Sequence, residues 1–194
     1  MTRFPPIAET DLTDDQRAVV RALMSGPRGD VVGPFIALLR NPQLAAHVEK
    51  LGEYLRFGGV LPKRMTELTI LIVSEAWRSP FEWYTHAPLA RKQGLAESVL
   101  DSVGQGRRPD EGDPDVLAVY DFVSMLIMER TVTGSVYDRA HGLFGDAGVI
   151  ELIGVCGYYT LLAMILNVAE TGAPDDNSVP FAPRDPRSIR PKAE

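Results

Sequence analysis

Apolar residues recur at three- and four-residue steps along most of this chain. Leu44, Val48, Leu51 and Leu55 form one such stripe, which predicts a helix from Pro42 to about Phe57 with those four residues on the core. Asn41 before Pro42 supplies an N-cap followed by a first-turn proline, and Gly58-Gly59 ends the segment. Thr13, with Gln16 three residues on, has capping-box spacing and opens a helix to about Ser25. Residues 1 to 12 read as an extended arm, and Pro34 to Leu39 as a short helical piece. Further helices are expected over Ala96–Val103, from Asp113-Pro114 to about Thr131, and over Gly134–Phe144. After Gly145-Asp146 a long apolar helix runs to Glu170. No stretch alternates with period two between hairpin turns, so the fold class is all-α.

Two consecutive helices between Lys63 and Gly94 hold most of the acid–base chemistry. Leu68, Ile70, Leu71, Ile72 and Val73 make the first almost wholly apolar and therefore buried, yet it carries Glu67 and Glu75. The second begins at Pro80, with Ser79 as N-cap and Glu82 at capping-box spacing, and stops at Gly94 after Arg91 and Lys92. Glu82 and His86, four residues apart, share a face of it.

Composition narrows the function classes. A formal net charge of -6 argues against nucleic acid, whose phosphates need a clustered positive surface. The single cysteine, Cys156, excludes an intrachain disulfide and fits a reducing compartment; with no apolar run after Met1-Thr2-Arg3, a cytoplasmic location is expected. Leu152 to Ala169 lacks charge but contains Gly154, Gly157 and Asn167 between Glu151 and Glu170, so a core or interface helix is expected in preference to a membrane span. One domain over residues 1–172 is expected. The Pro/Arg-rich tail 173–194 (Arg184, Arg187, Arg190, Lys192) is expected to be disordered or draped on a neighbour.

His86 is the leading candidate for proton transfer, since an imidazole titrates near neutrality and a neighbouring carboxylate orients it. The plainer alternative is a helix-face histidine hydrogen-bonded by Glu82. Glu67 either lies buried and paired or sits at the exposed start of its helix, where the dipole favours it. Glu75, near the opposite end, calls for solvent or a basic partner such as Arg78. His47 and His141 read as surface residues, and Cys156 as an inert buried thiol. No metal site is expected, because Glu82 and His86 lack a further ligand at usable spacing. Phosphate-loop and nucleophile-elbow motifs are absent, and no cofactor is expected.

The segment Arg64-x-x-Glu67-Leu68, the aliphatic run to Val73, Glu82-Trp83-x-x-His86 and Ala90-x-x-x-Gly94-Leu95 together resemble the carboxymuconolactone decarboxylase family, which includes alkylhydroperoxidase D. The likeness extends over roughly residues 30 to 172, with Gly148–Asn167 similar to the family's last helix. It implies an alkylhydroperoxidase-D-like domain of orthogonally packed helices, a two-helix active-site core and a long apolar C-terminal helix. In the peroxidase branch a glutamate and a histidine, matched here by Glu67 and His86, serve a CxxC pair. Those cysteine positions are Ser79 and Glu82 in this chain, which puts a thiol cycle and the family's peroxiredoxin-type activity in doubt. The resemblance favours the decarboxylase-like branch, a cofactor-independent lyase acting on a small carboxylated lactone or related acid. It implies His86 as proton donor or shuttle, Glu82 orienting it and Glu67 as a second acid–base group. Arg64 and Arg91 are candidate carboxylate anchors and Trp83 a candidate substrate contact. A homo-oligomer (dimer, trimer or hexamer) is also implied. The alternatives are an alkylhydroperoxidase-type antioxidant protein and a non-catalytic binding protein on the same scaffold.

Overall fold

The computed structural model describes residues 2–175 and 178–185; Arg187, Arg190 and Lys192 of the tail lie outside them. Eight helices follow one another: α1 Asp14–Ser25, α2 Pro34–Leu38, α3 Pro42–Glu53, α4 Lys63–Ala76, α5 Pro80–Lys92, α6 Glu97–Gly104, α7 Pro114–Glu129 and α8 Gly134–Ala169. There is no strand among the described residues, and the fold is all-α.

α4 is the axis of the molecule. Every residue from Met65 to Ser74 is buried, as befits a helix that is apolar all round and packed on α5, α6, α7 and α8. Two of its three buried hydroxyls are absorbed locally: Thr69 Oγ1 donates to the Met65 carbonyl and Ser74 Oγ to the Ile70 carbonyl, at 2.8 and 2.7 Å. The helix starts after Pro62 without a side-chain cap of its own. Glu151 of α8 anchors the turn that leads into it, accepting from the backbone N–H groups of Val60 (2.7 Å) and Leu61 (2.9 Å) and from the Tyr54 hydroxyl (2.8 Å). Burial works to raise the Glu151 carboxyl, yet the Leu61 and Val60 N–H donors and Tyr54 hold it below its ordinary value. Thus a charge on the most apolar helix fixes the chain just ahead of α4.

The local signals at α1 are realised as expected, with Thr13 and Gln16 forming a reciprocal capping box. Asn41 caps α3 by accepting from the Leu44 N–H. Gly145 (φ 64°, ψ -176°) breaks α8 where the Gly145-Asp146 pair suggested two helices. The stripe expected on α3 is corrected. Val48 and Leu55 are buried, but Leu44 and Leu51 are 43% and 48% exposed, and the buried face is completed by Ala45, Glu49 and Gly52. A π-helical turn, Tyr54–Gly58, extends α3. The π turn and close approaches at small residues, not the leucine spacing, decide which face is inward.

Thr2, Arg3 and Phe181, near the two ends of the described chain, are also docked. Thr2 Oγ1 and the Arg3 N–H both donate to the Ala169 carbonyl at the end of α8 (2.7 and 2.8 Å). Past α8, Phe181 is buried against Trp83 in an edge-to-face contact with ring centroids 5.5 Å apart. The expectation of a tail lying on a neighbour is corrected for this part: residues 178–185 include a segment that packs on the chain's own α5 and α6. Gly104 of α6 permits this, since a Cβ there would stand 2.5 Å from the Pro180 ring.

Candidate functional site

Glu67 on α4 and Glu82 and His86 on α5 meet in the interior. Their residues are 9%, 3% and 2% exposed, so the exposed alternative for Glu67 does not describe this fold. His86 Nδ1 lies 2.7 Å from Glu67 Oε2, and its Nε2 lies 3.5 Å from Glu82 Oε2. The imidazole is therefore held between two carboxyl groups on opposite ring nitrogens, tightly by Glu67 and loosely by Glu82. We assign Nδ1–H as the donor to Glu67, which turns the Nε2 lone pair toward Glu82. Because the two carboxyls flank the ring on opposite edges, they do not converge on one point as metal ligands would; among the described residues no group of three His, Cys, Asp or Glu side chains could hold a metal ion.

Tyr159 of α8 closes the ring's flank edge-to-face at 5.2 Å, and Tyr158 packs on Tyr159 at 5.3 Å. Burial raises both phenols, Tyr158 to about 12, so each stays a neutral hydroxyl. Glu82 is raised as well. Its complete burial dominates, and His86 when it carries a second proton, together with the charges of Arg56 and Arg28, opposes the shift only in part. Its Oε1 has no hydrogen-bond partner. A buried carboxyl with one oxygen unpartnered and a raised pKa can hold a proton and hand it to a neighbouring group.

The capping box expected between Ser79 and Glu82 is not formed. Ser79 is wholly buried, its hydroxyl has no partner, and the N-terminus of α5 has no side-chain cap. Glu82 points inward to His86 instead of back along its own helix, so tertiary contact outweighs the local motif.

The other candidates lie apart from this cluster. Arg64 is bound by Asp113 and Asp115 at 2.7 and 2.8 Å, and Arg91 by Glu97 at 2.6 Å, so both proposed carboxylate anchors are already paired elsewhere. Trp83 is buried under Phe181 on the tail-facing side of α5. Glu75 pairs with Arg78 at 3.3 Å. His47 is exposed, and His141 reaches Asp146 at 3.1 Å on the surface. Cys156 is buried on α8, its thiol pushed up to about 11 by burial.

Two arginines that no helical pattern singled out stand near the cluster instead. Arg28, from the loop after α1, and Arg56, from the π turn, are the guanidiniums whose charge acts on Glu82. The Gly-Pro-Arg-Gly loop and the Gly-Gly end of α3 were visible as breaks, but nothing in the spacing told where those side chains go. The largest cavity described, about 520 Å³ near Leu12, Val20 and Leu39, does not include Glu67, Glu82 or His86.

No protein-family model matches the chain, and no curated protein matches it either. The likeness to the carboxymuconolactone decarboxylases thus rests on the motif residues themselves.

Proposed function

We propose that this protein is a cofactor-independent acid–base enzyme, a decarboxylase-like lyase acting on a small carboxylated lactone or related acid. The observation that supports it most is the buried series Glu67, His86, Glu82, ending in an unpartnered carboxyl oxygen. In this reading Glu67 orients His86, and Glu82 is the group that faces the substrate, which exchanges the roles expected for the two glutamates. Breaking the carbon–carboxylate bond releases CO2 and leaves the electron pair as an enolate. Glu82 delivers a proton to the enolate carbon, and His86 Nε2 assists its reprotonation from solvent, one proton being consumed per turnover. A buried site supports the step by excluding water from the carbanion.

Self-association belongs to the same reading. Ile150 and Ile153, and about three turns on Met164 and Val168, are exposed apolar residues on the outer face of α8. Light scattering on Met164→Glu, with a smaller mass than the native protein, is the expected outcome.

The function is tested by following CO2 release from a panel of carboxylated lactones and keto acids. His86→Ala is expected to abolish turnover with unchanged far-UV circular dichroism, and turnover near the native level would remove His86 from the mechanism. Cys156→Ser is expected to leave turnover intact.

A further inference from the structure

Two buried polar atoms around the cluster, Arg56 Nε and Glu82 Oε1, have no hydrogen-bond partner, and a third, Tyr158 Oη, makes no well-formed bond although the Arg28 guanidinium stands beside it. Leaving such groups unpaired is costly, and native interiors rarely do so without a ligand or water in the gap. Two of them belong to residues no more than 3% exposed, Glu82 and Tyr158. All three are mutually close enough for their charges and dipoles to interact: Arg56 acts on Glu82, Tyr158 and Tyr159, and Arg28 on Glu82 and Tyr158.

The backbone is shaped to bring them there. Gly52 of α3 leaves room where a Cβ would stand 2.1 Å from Tyr158 Oη and 3.0 Å from Arg28 Nη2, so both polar groups crowd one side of the helix. Gly33 (φ 59°) lets the loop that carries Arg28 lie on Phe81, the residue before Glu82, where a Cβ would meet the ring at 2.3 Å. The Lys63 ammonium donates to the Arg56 carbonyl at 2.6 Å and pins the π turn. Both guanidiniums are braced on aromatic faces, Arg28 on Phe35 at 4.5 Å and Arg56 on Phe57 at 5.0 Å. Among the described residues neither has an ion-pair partner within 4.0 Å, in contrast to Arg64 and Arg91. Glu49 attracts Arg28 from α3 without closing a pair.

We propose that Arg28 and Arg56, with the Tyr158 hydroxyl, form the carboxylate-binding subsite of this enzyme, holding a small carboxylic acid with its reacting carbon toward Glu82 Oε1. The chemistry of the unpaired atoms fits: Arg56 Nε and Tyr158 Oη are donors, two guanidiniums balance an anion brought beside Glu67, and planar forks match a carboxylate's two oxygens. This subsite rests on the acid–base reading of Glu82 for its direction, but its binding function stands without it.

The test is calorimetric titration of the full-length protein with maleate, a small cis-dicarboxylate, against two controls, dimethyl maleate and inorganic phosphate. Maleate is expected to bind the native protein, with the ester and phosphate at least tenfold weaker. Arg28→Gln and Arg56→Gln are each expected to weaken maleate about 10- to 100-fold, the range for a charge-assisted hydrogen bond. Arg56→Lys keeps the charge but loses the fork and falls between, and Tyr158→Phe weakens binding severalfold. Arg64→Gln, whose guanidinium is tied to Asp113 and Asp115 away from the cluster, binds maleate within about threefold of the native protein. Equal binding by the native and Arg28→Gln/Arg56→Gln proteins, binding of the ester, phosphate in maleate's stead, or no maleate binding at all overturns the proposal. Arginine-dependent maleate binding without any proton transfer would retire the catalytic reading and leave the subsite standing.

Discussion

Replacing Glu82 by glutamine tests the raised carboxyl directly through stability. The residue is 3% exposed, one oxygen is unpartnered, and burial is the main reason its pKa lies above the ordinary carboxyl value of 4.5. The folded state therefore binds this proton more tightly than the unfolded chain does. Its contribution is fully present below the unfolded pKa and is lost as pH rises through the folded one. Glutamine has nearly the same shape and no charge to form, so Glu82→Gln escapes that loss. Charging a buried group with an unsatisfied oxygen costs about 1–3 kcal/mol, and the variant is expected to gain that much relative to the native protein between pH 4 and pH 8. Glu49 and Glu75 are also raised by burial, but they act equally in both proteins and cancel in the difference. Urea unfolding of both proteins at the two pH values measures it, and pH-independent effects of the substitution drop out. A difference that stays constant, or moves against glutamine as pH rises, would refute a proton held on Glu82.

Gly52→Ala places a Cβ 2.1 Å from Tyr158 Oη and is expected to lose about 1–3 kcal/mol in urea unfolding, with Tyr158→Phe restoring part of it. Phe181→Ala removes a buried ring from Trp83 and is expected to cost about 1.5–3 kcal/mol, with a change in tryptophan fluorescence. Arg64→Ala breaks two part-exposed ion pairs and is expected to cost no more than about 1 kcal/mol while leaving turnover unchanged.

What the sequence made legible divides by the range of the interaction. Thr13 with Gln16, Asn41 with Pro42 and the Gly145 break depend on a few adjacent residues, and each was readable. The burial of α4 followed from its apolar run, and the shared face of Glu82 and His86 from their spacing; that Glu67 on the neighbouring helix is the tighter partner of His86 was not picked out by any spacing along the chain. Contacts set by tertiary geometry were not readable. Ser79 and Glu82 have a capping box's spacing, but His86 claims the carboxyl. Leu44 and Leu51 have a core stripe's spacing, but Gly52 and Ala45 allow closer packing on the face beside them. Arg64 and Arg91 were favoured by proximity along the chain, yet their side chains leave toward Asp113, Asp115 and Glu97. Arg28 and Arg56 arrive from a loop and a π turn, where no periodicity fixes direction.

The central claim is that Glu67, His86 and Glu82 move a proton to substrate carbon. Proton NMR of a keto acid or carboxylated lactone turned over in D2O measures this on the product itself. The native protein is expected to place one deuterium at the carbon that lost CO2, with Glu82→Gln and His86→Gln slower by about 10²- to 10⁴-fold at unchanged fold and oligomer mass. Turnover in both variants within twofold of the native rate would contradict the account.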